Sequence, residues 1–325
     1  MTDLKSTVFT SVQELEAFGL TDLSIAIGVF DGVHIGHQKL LKELLRLSSE
    51  TSSTPVAITF YPHPRQVLMP DNPPPLLLPP EEKYRRLRQF GVAAVVAIPF
   101  DEKFAALSPE RFIVECLYSK NIRLQGVCVG KHWRFGAGGS GNTALLEEMS
   151  KSHSFHFSPV DEVEIDGETV SSTAIRFAVS KGDLAKASLY LGTPYVIYGK
   201  VVHGYGVAGK ELNCPTANMD IQYGVLPPRG VYAARLSIED GKSGLAAVVN
   251  VGTAPTFHSY GKQECIRTEV HLLDGTYDLY GKNVVLEPVA FLRAEQYFSS
   301  AVNLRKQIER DIQQAMSILK GAGNV

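Results

Sequence analysis

Two histidines three residues apart, His34 and His37, stand among glycines in the run Gly28-Val29-Phe30-Asp31-Gly32-Val33-His34-Ile35-Gly36-His37-Gln38. At a helix start this spacing puts both imidazoles on one side, about one turn apart. There they can hydrogen-bond a phosphoryl group and stabilise charge as it builds. A glycine turn entering a helix also presents backbone N–H groups and the positive end of the dipole to phosphate oxygens. Gly28, Phe30, Asp31 and Gly32 are therefore candidate phosphate-binding residues. A second helix start, Ser171-Ser172-Thr173-Ala174-Ile175-Arg176, offers capping hydroxyls, N–H groups and a cation one turn in, a set suited to a triphosphate. The first run lacks the Gly-Lys-Ser/Thr of a P-loop and the spaced glycines of a dinucleotide fingerprint. The chemistry it points to is nevertheless that of nucleotides.

A second set of candidates lies further along. Gly204-Tyr205-Gly206-Val207-Ala208-Gly209-Lys210 is a loop whose glycine N–H groups can wrap phosphates, with Gly204, Gly209 and Lys210 as candidates. It is followed by Pro215-Thr216-Ala217-Asn218, where a hydroxyl and an amide oxygen are hard ligands suited to Mg²⁺. Asn250-Val251-Gly252-Thr253-Ala254-Pro255-Thr256-Phe257 ends a strand with a polar turn. Thr268-Glu269-Val270-His271-Leu272-Leu273-Asp274 alternates polar and apolar residues, so Glu269 and His271 share one face of a strand. Two further stretches read either way. Thr59-Phe60-Tyr61-Pro62-His63-Pro64 either holds His63 and Arg65 toward a ligand crevice or is a stiff turn with a surface histidine. Gly130-Lys131-His132-Trp133-Arg134-Phe135-Gly136-Ala137-Gly138-Gly139-Ser140-Gly141 either seats a flat heteroaromatic ring beside phosphates or is a flexible loop.

The elements that must position these residues follow from periodicity. Apolar runs at Leu23–Val29, Val56–Phe60, Val92–Ile98 and Gln125–Val129 read as buried strands. Helical patterns intervene near Gln38–Ser49, Glu81–Gln89 and Pro109–Ser119. Such alternation predicts an α/β unit, a doubly wound parallel sheet with ligands at the carboxyl ends of its strands, where His34 and His37 fall. The five prolines of Asp71–Pro80 predict an irregular loop. A helical run ends at Lys181, and another spans Leu184–Tyr190. After Tyr195 the pattern changes to short β-rich runs, Val196–Val202, Gly230–Ser237, Leu245–Val251, Arg267–Leu273 and Asn283–Leu292, which predict a small antiparallel barrel. A terminal helix from Val302 to Leu319 carries Leu304, Ile308, Ile312, Met316 and Leu319 on one face. The domain boundary is expected between Gly182 and Val196, giving domains 1–185 and 186–325. With 325 residues the chain can build two cores. A net charge of −2 gives no reason to expect nucleic acid or an anionic membrane as partner. No apolar run approaches the ~20 residues of a membrane span, and no secretion signal is apparent at Met1-Thr2-Asp3-Leu4-Lys5-Ser6. Cys116, Cys128, Cys214 and Cys265 match neither a zinc knuckle nor a redox pair and suit a reducing compartment, the cytoplasm.

The first run resembles the HxGH motif of the nucleotidylyltransferase superfamily, and its longer form resembles the bacterial bifunctional riboflavin kinase/FAD synthetases. Val170-Ser171-Ser172-Thr173-Ala174-Ile175-Arg176 is similar to the family's Ile-Ser-Ser-Thr-x-Ile-Arg element, with Val170 for isoleucine. In the second half Pro-Thr-Ala-Asn, Gly-Val-Tyr, Asn-x-Gly-x-x-Pro-Thr-Phe, Glu-x-His-Leu-Leu-Asp and Leu-Tyr-Gly recur in the family's order. The resemblance spans about residues 6 to 318. It implies that riboflavin and ATP give FMN in the C-terminal domain, that FMN and ATP give FAD and pyrophosphate in the N-terminal one, and that both steps use Mg²⁺. By position it makes Glu269 the general base and gives Mg²⁺–ATP to Thr216 and Asn218. It gives the ATP phosphates to Ser172, Thr173 and Arg176, and flavin contacts to His63, Phe135 and Arg293. Three departures stand out. His132 replaces an Asn or Asp, and Lys210 and Asn213 replace an Arg and a Gly, where the two-pronged guanidinium and a bare backbone would otherwise serve. The alternatives are a riboflavin kinase with a weakened adenylylating half, a nucleotidylyltransferase for another acceptor, and a flavin-binding module without turnover.

Overall fold

A computed structural model describes residues 7–202, 216–239, 241–253, 266–273, 275 and 277–321. The chain forms two compact units, Met1–Pro74 with Leu78–Ser172, and Pro75–Leu77 with Thr173–Val325.

The first unit is built on strands β1 (Val8–Phe9), β2 (Asp22–Ile27), β3 (Thr54–Tyr61), β4 (Ala94–Pro99), β5 (Arg123–Gly130) and β6 (His156–Val160). They form one sheet in the order β1-β4-β3-β2-β5-β6, parallel throughout. Helices α1 (Ile35–Glu50), α2 (Pro64–Leu68), α3 (Pro80–Gln89), α4 (Glu102–Ala105), α5 (Pro109–Leu117) and α6 (Thr143–His153) lie between the strands. The central strands are near-continuous apolar runs because helices cover both faces; Ile25, Ala26, Ile27, Val56, Ala57 and Ile58 are all buried. Helix starts are set by side-chain caps, from Ser108 with Pro109 behind it and from Asn142. The chain runs outward from β2 through β3 to β4, then returns to place β5 on the other side of β2. That reversal is the topological switch point at which such sheets bind ligands, and residues 28–34 leave the sheet there. Beyond β6 come a small hairpin, β7 (Glu164–Ile165) and β8 (Glu168–Thr169), and the first residue of α7 (Ser172–Ser180).

In the second unit α7 and α8 (Leu184–Leu191) lead into β9 (Ile197–Val202), β10 (Ala217–Tyr223), β11 (Gly230–Ile238), β12 (Leu245–Thr253), β13 (Ile266–Leu272) and β14 (Asn283–Arg293). These strands close into an antiparallel barrel in the order β10-β13-β12-β11-β14-β9. Alternation along the strands fills the interior with Met219, Tyr232, Leu236, Val249, Val251 and Val270. The C-terminal helix α9 (Ala301–Gly321) lays Ala315 and Leu319 on the outer face against Ala233, with Ala246, Val248 and Ala290 around them.

The predicted fold class is present, and most predicted elements match within two or three residues. Strands β1, β6, β7, β8 and β10 and helices α2, α4 and α6 were not anticipated. Two residues are too short to show a period, His-Phe-Ser-Pro-Val is an edge strand with a proline, and Ala-Asn-Met-Asp-Ile-Gln-Tyr was read for its ligand atoms. Cys116 and Cys128 are buried free thiols, and burial pushes both up to about 12; Cys214 and Cys265 lie outside the described residues.

One buried ion pair fastens α9 to the barrel. Arg293 donates through Nε to both carboxylate oxygens of Asp311, at 3.1 and 2.9 Å, and Gln307 donates to the same carboxylate at 2.8 Å. Removing one partner of such a pair leaves the other charged and buried, which costs about 3–5 kcal/mol. Asp311→Ala is therefore expected to destabilise the barrel unit by about that amount, read as a lower urea midpoint. A midpoint within experimental error of the parent would show that the pair holds nothing.

Candidate functional site

In the first unit the site is a strained turn. Gly28 N–H donates to the Ile58 carbonyl at 3.0 Å, continuing the sheet for one more residue. The chain then passes through Phe30, Gly32 and Val33 with φ of 54°, 85° and 44°. For Gly32 this costs little, but Phe30 and the β-branched Val33 have to be held there, at ~1–3 kcal/mol each. The anchors are specific. Thr59 Oγ1 donates to the Val29 carbonyl at 3.0 Å, Gln38 Nε2 donates to the Val33 carbonyl at 3.0 Å, and Phe30 packs its ring edge-on against His37 at 5.2 Å. Ser172, at the start of α7, donates from Oγ to the Asp31 carbonyl at 2.8 Å. The start of α7 and the start of α1, remote in sequence, are thus tied at one place.

His34 caps α1, and its Nδ1 accepts from His37 N–H at a long 3.4 Å. Acceptance at Nδ1 puts the proton of the neutral ring on Nε2, leaving Nε2 as the donor. The two imidazoles stack, centroids 3.6 Å apart and planes 22° from parallel. Burial holds His37 well below the usual 6.5, with the charges of His34 and Lys83 pushing the same way, so the ring is neutral near pH 7. Its Nδ1 is sealed from solvent and has no hydrogen-bond partner among the described residues. Stacked at a helix N-terminus, the two rings can donate to phosphate oxygens, His37 doing so as a neutral imidazole.

Other candidates of this unit lie differently. Phe30 is a core side chain, and its place in the turn is a matter of backbone. Phe135 is 6 % exposed, stacked on Trp133 at 4.7 Å and packed against Phe112 at 5.4 Å. The structure thus makes Phe135 part of the core, and the 130–141 stretch is pinned by its bridge to Gly141. His63 caps α2, its Nδ1 accepting from Arg65 N–H at 3.0 Å while Gln66 accepts from His63 N–H, which is the stiff-turn reading of that segment. Two predicted phosphate ligands fall in the second unit instead: Thr173 is exposed in the first turn of α7, and Arg176 donates from Nε to the Pro75 carbonyl at 2.8 Å.

In the barrel, register does what sequence distance hides. Asn218 on β10 faces Glu269 on β13, Glu269 faces Asn250 on β12, Asn250 faces Val231 on β11, and Val231 faces Arg293 on β14. Facing residues of an antiparallel pair share a face, and their neighbours Met219, Thr268 and Val251 fill the interior. The row therefore lies on the outer face of the barrel, where α9 covers its Arg293 end. Three predicted residues, Asn218, Glu269 and Arg293, are brought into one line across five strands, although Arg293 commits its guanidinium to Asp311. Gly252, two residues after Asn250, is a close approach: a Cβ there would collide with the Glu295 carboxylate and crowd Asn250 Nδ2. Sequence reasoning singled out the cluster that begins at Asn250 without giving that residue a role, and it gave none to Glu295; the period-2 alternation of 245–253 was the available signal for the first. Thr216, just before β10, lines a cavity of about 140 Å³ with Val201, Val270, Tyr277, Leu279 and Tyr280. The oxygen donors of Thr216, Asn218 and Glu269 are the hard set a Mg²⁺–phosphate complex takes. Gly204, Gly209, Lys210 and Asn213 lie outside the described residues.

Comparison with known proteins agrees with both units. A family model described as FAD synthetase matches residues 19–174, and one described as riboflavin kinase matches 191–319. Together they define a two-domain enzyme of nucleotidyl and phosphoryl transfer. The chain is 37 % identical over 287 residues to the bifunctional riboflavin kinase/FMN adenylyltransferase of Escherichia coli K12, covering 88 % of this chain and 90 % of that protein. To the protein of the same name from Bacillus subtilis 168 it is 33 % identical, over 90 % of this chain and 91 % of that one. It belongs to the bifunctional riboflavin kinase/FMN adenylyltransferase family. A crystal structure from Streptococcus pneumoniae, described as a macrolide-efflux protein, superposes with a TM-score of 0.78 at 28 % identity, over 91 % of this chain and 94 % of that one. No helix among the described residues here is long and apolar enough to cross a membrane.

The depressed His37 sets a pH dependence for stability. Below 6.5 the unfolded chain takes up a proton that the folded site refuses, so the unfolded state binds more protons and is favoured. The stability carried by the neutral ring is full above 6.5 and is lost as pH falls from 6.5 toward the depressed folded value, by at most ~1.4 kcal/mol per pH unit. Urea unfolding of the parent and His37→Asn between pH 5 and 7 should show a shallower slope for the variant. Parallel slopes would mean that His37 takes its proton normally.

Proposed function

We propose that the two units carry out successive ATP-dependent steps with separate sets of residues. In the barrel, Glu269 accepts the proton of the terminal ribityl hydroxyl of riboflavin as that oxygen attacks the γ-phosphorus of ATP, giving FMN and ADP. Positioning and charge neutralisation make up most of such a transfer, so one carboxylate base beside hard oxygen ligands is sufficient. Thr216 and Asn218 hold Mg²⁺, which offsets phosphate charge when bound; Gly204, Gly209 and Lys210 wrap the ATP phosphates. Arg293 orders the strand end and α9, next to which the flavin binds.

In the parallel-sheet unit a phosphate oxygen of FMN attacks the α-phosphorus of a second ATP, the bond to the β-phosphate oxygen breaks, and pyrophosphate leaves. His34 and His37 donate hydrogen bonds as charge moves onto the bridging and non-bridging oxygens. The N–H groups of residues 28–32 and the α1 dipole receive the polyphosphate; Ser172 adds a hydroxyl ligand, and the segments holding His63 and Phe135 frame the flavin. A boundary at 185/186 draws support from the gap between the two family matches, 19–174 and 191–319. Free buried thiols at Cys116 and Cys128 suit a reducing cytoplasm.

One observation supports this reading above the rest: each unit gathers its own chemically coherent residues, two stacked imidazoles in one and the Asn218–Glu269–Asn250 row in the other. Glu269→Gln is expected to lower FMN formation by ~10²–10⁴-fold, the usual worth of a general base, while adenylylation of supplied FMN persists. The double change His34→Ala, His37→Ala is expected to do the opposite. Chromatographic separation of FMN and FAD reads both, and loss of both products in either variant would refute separate sites.

A further inference from the structure

Outside the two histidines, the described residues of the first unit bury two charged groups beside the turn, Asp31 of the turn itself and Lys83 from outside it. Lys83, on α3, is only 9 % exposed, and lysine is almost never so buried without a paired charge or a task. Its Nζ donates to Thr59 Oγ1 at 3.1 Å and to the Val29 carbonyl at 3.4 Å. Thr59 is fully buried and already donates to that same carbonyl at 3.0 Å. The lysine therefore satisfies no group that would otherwise be orphaned. What it adds is a positive charge, fixed at the residue that precedes the strained Phe30–Val33 turn.

We propose that Lys83 is a positioning residue for adenylyl transfer, clamping the Val29 carbonyl from α3 and holding one fixed cation beside the turn and the His34–His37 pair. This rests on the adenylyl-transfer reading of that site. Two effects follow from the geometry. The clamp keeps Phe30 and Val33 in left-handed conformations that the chain would otherwise relax, preserving the directions of the turn's N–H groups. The ammonium also makes the turn attractive to a polyphosphate and unfavourable for a second cation, so His37 remains a neutral donor.

The charged and titratable neighbours can be told apart. Burial pushes Lys83 down to about 8, with the Asp31 carboxylate from the turn opposing the shift. His34 and His37 face it from α1, and His37 is held well below 6.5. Tyr84, the next residue on α3, lies against the ammonium at 5.4 Å and is itself pushed up to about 12 by burial. Thr59 from β3 does not titrate. An alkaline limb near pH 8 is the expected mark of Lys83 losing its proton.

The test uses the full chain and follows FAD formation from supplied FMN and ATP, with FMN formation from riboflavin as the internal control. Lys83→Met is expected to lower kcat for FAD formation by roughly 10- to 100-fold, the usual scale for a misplaced site, with KM for ATP little changed and FMN formation intact. Because burying the ammonium is unfavourable, Lys83→Met should melt no lower than the parent at pH 7. The parent kcat should decline as pH rises through the region of 8. Lys83→Arg keeps the charge and should recover part of the rate and carry the plateau beyond pH 9. The proposal is overturned by an unchanged kcat in Lys83→Met, by a rise in KM alone, which would put Lys83 on ATP itself, or by a limb that stays in place in Lys83→Arg. Loss of both activities with early melting in Lys83→Met also overturns it, since Lys83 would then be a folding element. If FAD formation is absent in the parent as well, the adenylyl-transfer reading falls instead.

Discussion

A turn that the backbone resists is the constraint around which the first unit is arranged. Leaving β2, the chain has to present unpaired N–H groups and two imidazoles at the switch point of the sheet, and it does so through non-glycine residues with positive φ. Left-handed phenylalanine and valine persist only where surrounding contacts over-determine them. The contacts come from four elements: Thr59 from β3, Gln38 from α1, Lys83 from α3 and Ser172 from the start of α7. The parallel sheet is what makes this possible, since its strands end together and its helices all start on the same side.

The barrel solves a different problem by a different means. No single stretch of the second unit contains a site; Asn218, Glu269, Asn250 and Arg293 are scattered over 76 positions of sequence. Closure of the sheet fixes register between every pair of strands, and a slip of one residue on β13 would send Glu269 to the interior and Thr268 outward. The ion pair of Arg293 with Asp311 then ties the end of this row to α9. Chemistry and stability meet at that residue, so a substitution there changes both.

The two sites also differ in how they manage charge. The first keeps His37 neutral by burial and sets a cation nearby, so that attraction for phosphate comes from the backbone, the dipole and Lys83. The second offers carboxylate and amide oxygens, which suit a metal–phosphate complex. Keeping these environments in separately folded units avoids a compromise between them.

Much of this was legible in the amino-acid string. The period of the apolar residues gave a parallel sheet followed by an antiparallel barrel, because burial on two faces or one leaves a direct imprint on side-chain choice. The histidine pair, the Ser172 helix start and Glu269 were visible because their chemistry is local in sequence. What the tertiary structure alone decided is of another kind. Phe135 and Phe30 carry aromatic rings that sequence offers equally to a ligand or to a core, and only packing assigned them to the core. Lys83 reads as an ordinary helix-surface lysine among Glu81, Glu82 and Arg85, and only the fold turns it inward onto Val29 and Thr59. The partnership of Asn218 with Glu269 and Asn250 depends on strand register, a long-range property that no local pattern encodes.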